Sequence, residues 1–211
     1  MDILNTMQLP DQGWTQHFEV MQELGDCYAQ VGQFEEATAC YEKAAMLEPD
    51  SAEPYVGIGV IAFQQNKPDD ADVAFRVAVR LDSQCSRGYT GMAMVAQQKG
   101  RMQEAFDLYL KSLEINADDL TALLGLFQVS CQMKSFGRVI DYLSVYLRSH
   151  PDDTAVMFCL ATLYVKDQQP QRARDLLERI SVLEPANTDA ENLLEDVNHM
   201  LAQTHTGDIN G

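Results

Sequence analysis

The chain has 211 residues, 46% of them apolar and 22% charged, with a formal net charge of −17. This apolar share is typical of a folded protein and argues against global disorder, and no stretch approaches the ~20 apolar residues needed to cross a bilayer. The acidity sits at the two ends: residues 1–50 hold ten acids and one base, Lys43, and residues 188–211 hold five acids and no Lys or Arg. Such a distribution disfavours binding to a nucleic-acid backbone, which needs clustered cations. It either serves solubility at the ends of the fold or steers a basic partner to one end.

Residues 1–17 form an N-terminal segment. Met1-Asp2-Ile3-Leu4 has neither a basic stretch nor a long apolar run, so no signal peptide is expected and the chain is expected to be cytoplasmic. Ile3, Leu4, Met7 and Leu9 make a short apolar run bounded by Pro10. It can cap the first helix pair, insert into another copy and cause self-assembly, or stay disordered.

From residue 18 the chain repeats every 34 residues with no insertion or loss. Leu24, Gly25, Tyr28, Ala37, Tyr41, Ala44 and Pro49 recur as Ile58, Gly59, Ala62, Ala71, Phe75, Ala78 and Ser83. The third copy has Met92, Ala93, Ala96, Ala105, Tyr109, Ser112 and Ala117, and the fifth Leu160, Ala161, Tyr164, Ala173, Leu177, Ile180 and Pro185. So strict a period predicts stacked interchangeable units. The units are residues 18–51, 52–85, 86–119, 120–153 (degenerate) and 154–187.

Within the first unit, Phe18, Met21, Leu24, Cys27, Tyr28 and Val31 recur at helical spacing, and Trp14 extends the stripe one turn earlier. Gly32-Gln33 breaks this helix, a second follows with Ala37, Cys40, Tyr41, Ala44 and Ala45 inward, and Pro49-Asp50 ends it. Each unit is thus a pair of antiparallel helices. Glycine or alanine at Gly25, Gly59, Ala93 and Ala161, and at Ala37, Ala71, Ala105 and Ala173, lets the axes approach. The fourth unit carries Phe127 and Val139 at those places and Lys134-Ser135 at its turn, which predicts a local splay and a less regular turn. Residues 188–202 read as a capping helix with Ala190, Leu193, Leu194, Val197 and Leu201 buried and Thr188 as N-cap. Residues 203–211 are expected to be a disordered tail.

These residues resemble the tetratricopeptide repeat family over residues 18–187. The resemblance implies an all-α fold, a right-handed solenoid of helix-turn-helix pairs whose first helices line a concave groove. It also implies that the groove holds peptides or other proteins. Positions two, five, six, nine, twelve and thirteen of each first helix face the groove in that family. In the first unit they are acidic and polar, with Glu19, Glu23 and Asp26. Further along they give Val56, Gly57, Val60, Phe63, Arg87, Thr90, Gly91, Met94, Leu124, Gly125, Gln128, Phe158, Thr162 and Val165 as candidate binding residues. The family's clamp for a C-terminal carboxylate is not expected, because Gln22, Asp26, Gly57, Arg87 and Gly91 stand at its places and only Arg87 is basic.

The apolar members of this set mark an interaction surface where the fold predicts exposure. Gly57, Gly91 and Gly125 form a second pattern, since mid-helix glycine costs ~1 kcal/mol relative to alanine. The ladder either clears a channel for a bound segment, or relieves crowding between first helices or is a relic of duplication. Neither the five cysteines nor the four histidines show metal-ligand spacing; the thiols read as reduced packing groups and the histidines as surface residues. No cofactor or metal site is expected and no catalytic pattern stands in context, so the chain reads as a non-enzyme. Acid pairs such as Glu35-Glu36 and Asp69-Asp70 sit where second helices begin and complement the helix dipole. The leading reading is an adaptor or scaffold that takes a partner's peptide or helix in the groove. The alternatives are a self-assembling structural protein using its N-terminal segment, and an acidic cytosolic chaperone for an export substrate.

Overall fold

A computed structural model describes residues 17–207, with side chains to residue 203. Residues 1–16, with the apolar run and Trp14, and residues 208–211 lie outside the described residues. Eleven α-helices fill the described residues, in order α1 (Phe18–Gln30), α2 (Phe34–Leu47), α3 (Glu53–Gln64), α4 (Pro68–Leu81), α5 (Ser86–Gln98), α6 (Met102–Ile115), α7 (Leu120–Met133), α8 (Gly137–Ser149), α9 (Thr154–Lys166), α10 (Pro170–Leu183) and α11 (Thr188–Gly207). No helix among them is long and apolar enough to cross a membrane. Each repeat contributes one pair, and the chain divides into two compact units, residues 1–116 and 117–211.

One backbone rule makes every pair. The fifteenth residue of each repeat turns left-handed, with φ of 76° at Gly32, 58° at Asn66, 74° at Gly100, 55° at Lys134 and 58° at Gln168. A left-handed residue ends a helix and reverses the chain, and glycine adopts it without steric cost. At Lys134-Ser135 the turn is less regular, as expected: Lys134 is left-handed like the glycines, but α7 runs one residue further and α8 begins one residue later than their counterparts in the other repeats.

Starts are fixed at the other end of the repeat. Asp119 and Asp153 precede α7 and α9, and their carboxylates accept from the N–H groups of Ala122 and Val156, both at 3.0 Å. Asn187 does the same for α11, accepting from Ala190 N–H at 3.0 Å. The cap of α11 is thus Asn187 and not Thr188, since only a residue outside the first turn can reach back to an orphan donor two or three residues on. α11 also outruns its expected end at Ala202 and continues to Gly207, because no proline or glycine interrupts it earlier.

The interior is built from small residues and rings. In the first unit Ala71, Ala78, Phe75, Val56, Cys85, Met92 and Val95 form one buried cluster, and Ala37, Tyr41 and Ile61 another. In the second unit Val139, Leu143, Val156, Met157, Leu160, Ala173, Leu177, Ile180, Ala190 and Val197 are buried. α7 and α8 are the most loosely paired of the five hairpins. Phe127 and the fully buried Val139 stand here where the other repeats carry small residues, and the loose pairing fits the splay expected for the fourth repeat.

Candidate functional site

The candidate residues lie on the first helices of the two units. In the first unit α1, α3 and α5 lie side by side in 34-residue register: Arg87 donates from Nη1 to Glu53 Oε2 at 2.7 Å, one repeat away. Similarly, Gln98 donates to Asn66 at 2.8 Å. This register sets up rows across the face. The outermost row is Glu19, Glu53 and Arg87, and the next exposed row is Asp26, Val60 and Met94. Gln30, Gln64 and Gln98 form the last row, all exposed.

Not every candidate position is open. Val60 is 37% exposed, Phe63 and Met94 are half-buried, and Arg87 is exposed. Val56, by contrast, is 1% exposed and belongs to the core cluster. Thr90 is also buried, and its hydroxyl lies 2.7 Å from that of Ser112, which in turn donates to the Ser86 carbonyl at 3.0 Å. Val56 and Thr90 therefore hold helices together rather than face outward. Both occupy the fifth position of their helices, which in these two repeats turns toward the second helices.

The glycines have a specific packing cause. A Cβ on Gly57 would stand 2.6 Å from Tyr41 Cζ, and one on Gly25 would stand 2.5 Å from Tyr41 Cε1. One repeat later a Cβ on Gly91 would meet the Phe75 ring at 2.4 Å, and one on Gly59 would meet it at 2.6 Å. Each ring of a second helix is thus clasped between glycines of two successive first helices. The space beside Gly57 and Gly91 is occupied by aromatic carbon, so these positions form no channel; crowding between helices is the reason for them. Gly125 is likewise buried on α7.

In the second unit Leu124 is 37% exposed and Gln128 is exposed on α7. On α9, Phe158, Thr162 and Val165 are half-buried, and the Thr162 hydroxyl donates to the Phe158 carbonyl within its own helix. Cys131 and Cys159 belong to the same two helices. Burial, then the neighbouring Cys131 and Asp153, push the Cys159 thiol up to about 11, and burial raises Cys131 also. All five cysteines are free thiols, with Cys27 exposed. Of the histidines, His17 and His199 are exposed, whereas His150 is half-buried and stacks on Tyr146 at 4.3 Å.

Comparison with known proteins bears directly on this arrangement. A TPR repeat model matches residues 25–66 and a tetratricopeptide repeat model matches residues 57–119. Residues 25–119 are tetratricopeptide repeats. No curated protein sequence matches it. Among solved structures, PilF of Pseudomonas aeruginosa is similar with a TM-score of 0.69 and 21% identity, over 93% of this chain and 95% of that one. YrrB, described as a TPR protein with an unusual peptide-binding site, is similar at 0.63 and 16% identity, over 84% and 91%. The first TPR domain of Spaghetti (RPAP3), bound to the HSP90 peptide SRMEEVD, is similar at 0.52 and 23% identity, over 57% and 96%. At these identities the likeness concerns the fold.

The tetratricopeptide register explains which site residues could be found from sequence. It places Val60, Met94, Leu124 and Phe158 on the first helices at once. What it misses is a cavity of about 310 Å³ at the acidic end of the first unit, whose lining includes Phe18 and Tyr41. Tyr41 donates its hydroxyl to Asp26 at 2.6 Å. Burial first, then this bond, raises its pKa above the usual phenol range. The only sequence signal for that cavity was the run of acids on α1 beside Gly57.

Proposed function

We propose that this tetratricopeptide protein is a non-catalytic scaffold or adaptor that holds a peptide or helix of a partner protein on its first helices. The observation that carries the reading is the partial exposure of Val60, Met94, Leu124 and Phe158 on these helices. Their second helices are already packed, so a protein partner is what remains to cover them. The peptide-binding descriptions of YrrB and of the RPAP3 domain support the same use of this fold.

The remaining apolar gain is modest. A fully buried aliphatic side chain contributes ~1.5–3 kcal/mol, and Val60 has already hidden nearly two thirds of its surface. Val60, Phe63 and Met94 together therefore add only a few kcal/mol, on the order of 2–3, on being covered. Association entropy consumes that amount, so polar or charged contacts must add to it.

The test is site-directed photo-crosslinking. A photoreactive residue at position 60 or 94 should capture a partner from the native host, and the double variant Val60→Glu, Met94→Glu should lose it with its helical circular dichroism intact. Undiminished capture by the folded double variant would remove this reading. The self-assembly alternative turns on residues 1–13, which lie outside the described residues.

A further inference from the structure

We propose that the inner face of the first unit docks a basic segment of another protein, with a lysine or arginine side chain entering the cavity between α1 and α3. This deepens the scaffold reading and rests on it. The cavity, about 310 Å³, is at the small end of ligand sites and suits one long side chain better than a cofactor. Gly57 and Tyr41 form part of its lining, beside half-buried Phe18. Glu19, Glu23, Asp26 and Glu53 also line it. Half-buried Phe18 among these carboxylates matches a cation on an aliphatic stem: the stem packs on the Phe18 ring and the head reaches the acids.

The charges inside the cavity are unequal. The one cation among its described lining residues, Arg87, is held by Glu53 at 2.7 Å. Glu19 and Glu23 have no ion pair among the described residues, and α1 contains no Lys or Arg. Tyr41 satisfies one oxygen of Asp26. An incoming ammonium or guanidinium therefore finds carboxylates that the chain itself leaves unneutralised.

Residues 1–16 and 204–211 contain no lysine or arginine. Val60 lies two turns after Glu53 on α3 and Met94 holds the matching place on α5, so the occupant needs apolar residues beside its basic one. The arrangement reverses the sign of a carboxylate clamp: the acids belong to the repeat protein and the base to its guest.

The test uses the full chain and a fluorescent, amidated peptide of alternating lysine and leucine, with glutamate-leucine and serine-leucine peptides as comparisons. Anisotropy titration should show the lysine peptide binding at least tenfold more tightly than either, with affinity falling as salt rises. The double variant Glu19→Gln, Glu23→Gln should weaken it roughly tenfold, about threefold per exposed carboxylate. Glu42→Gln with Glu48→Gln, exposed and outside the cavity, should leave it unchanged. Equal weakening by both pairs would mean attraction to net charge alone and would overturn the proposal, as would failure of the lysine peptide to bind. Displacement of the peptide by a self-associated dimer in light scattering would assign the face to a second copy instead. If the serine peptide binds as well as the lysine one, and binding needs Val60 and Met94, the scaffold reading stands and the basic guest falls.

Discussion

Gly91→Ala separates two opposed effects at one residue. Alanine in place of a mid-helix glycine should stabilise a helix by ~1 kcal/mol. Here the added methyl would stand 2.4 Å from Cε1 and Cζ of Phe75 and 2.5 Å from its Cδ1. Comfortable carbon contacts lie at ~3.5–4.0 Å, so the ring must retreat by about 1 Å. It has nowhere to go, because Phe75 is 2% exposed and the Gly59 backbone closes its other face. Overpacking of this kind costs ~1–3 kcal/mol, and an overlap with a rigid ring on both sides belongs in the upper part of that range. The net expectation is a loss of about 1–2 kcal/mol once the propensity gain is subtracted.

Urea denaturation followed by circular dichroism reads this directly as a lower midpoint. A double-mutant cycle with Phe75→Leu isolates the cause: the smaller side chain relieves the clash, so Gly91→Ala should be less harmful in that background, with a coupling of at least ~1 kcal/mol. If Gly91→Ala were as stable as the parent or more so, helix propensity would govern the position. The account of the glycines as clasps for aromatic rings would then be wrong.

Four further outcomes are expected. Lys134→Gly should raise the unfolding midpoint by about 0.5–1 kcal/mol, because lysine is held at φ 55° where glycine is unstrained. Tyr41→Phe should cost ~1 kcal/mol for its bond to Asp26; since the folded state raises the Tyr41 pKa, the parent should also lose stability as pH rises above ~10, where the unfolded phenol ionises, and the variant should lose less. In thiol titration with a disulfide reagent the exposed Cys27 should react first, while Cys159, pushed up to about 11, should react slowly at pH 8, where about one molecule in a thousand is thiolate. Val56→Ala should cost ~2 kcal/mol and Val60→Ala under ~1 kcal/mol, since the first is 1% and the second 37% exposed.

The helix pairs were legible because the period records geometry that recurs in every copy. Gly32 and Gly100 announced the turns, yet the backbone demand they serve is equally met by Lys134 and Gln168, whose identities give no hint of it. Burial was less legible, because it depends on which neighbours fill the space. Val56 and Leu124 hold the same register position, but the first is enclosed by Phe75, Cys85 and Val95 while the second is 37% exposed on α7. The fourth repeat differs through the bulk of Phe127 and Val139, and a consensus position cannot carry that information. The acidic cavity was half legible: its charges stand in the sequence, but Tyr41 joins its lining from another helix, fifteen residues from the Asp26 it bonds.

The clasped rings also decide where binding specificity can reside. In the first unit the sixth positions of α3 and α5 are reserved as glycine by Tyr41 and Phe75, and the fifth positions are committed to the interior as Val56 and Thr90. Substitution there is coupled to stability. Apart from Asp26, which accepts from Tyr41, the second and ninth positions carry no such constraint, and across the three helices they change from Glu19 and Asp26, through Glu53 and Val60, to Arg87 and Met94. Electrostatic preference therefore runs in one direction across the face, from acidic at α1 to mixed basic and apolar at α5. A guest with its basic residue at one end and apolar residues at the other has a single favourable orientation, because the reversed one takes its cation away from Glu19, Glu23 and Asp26.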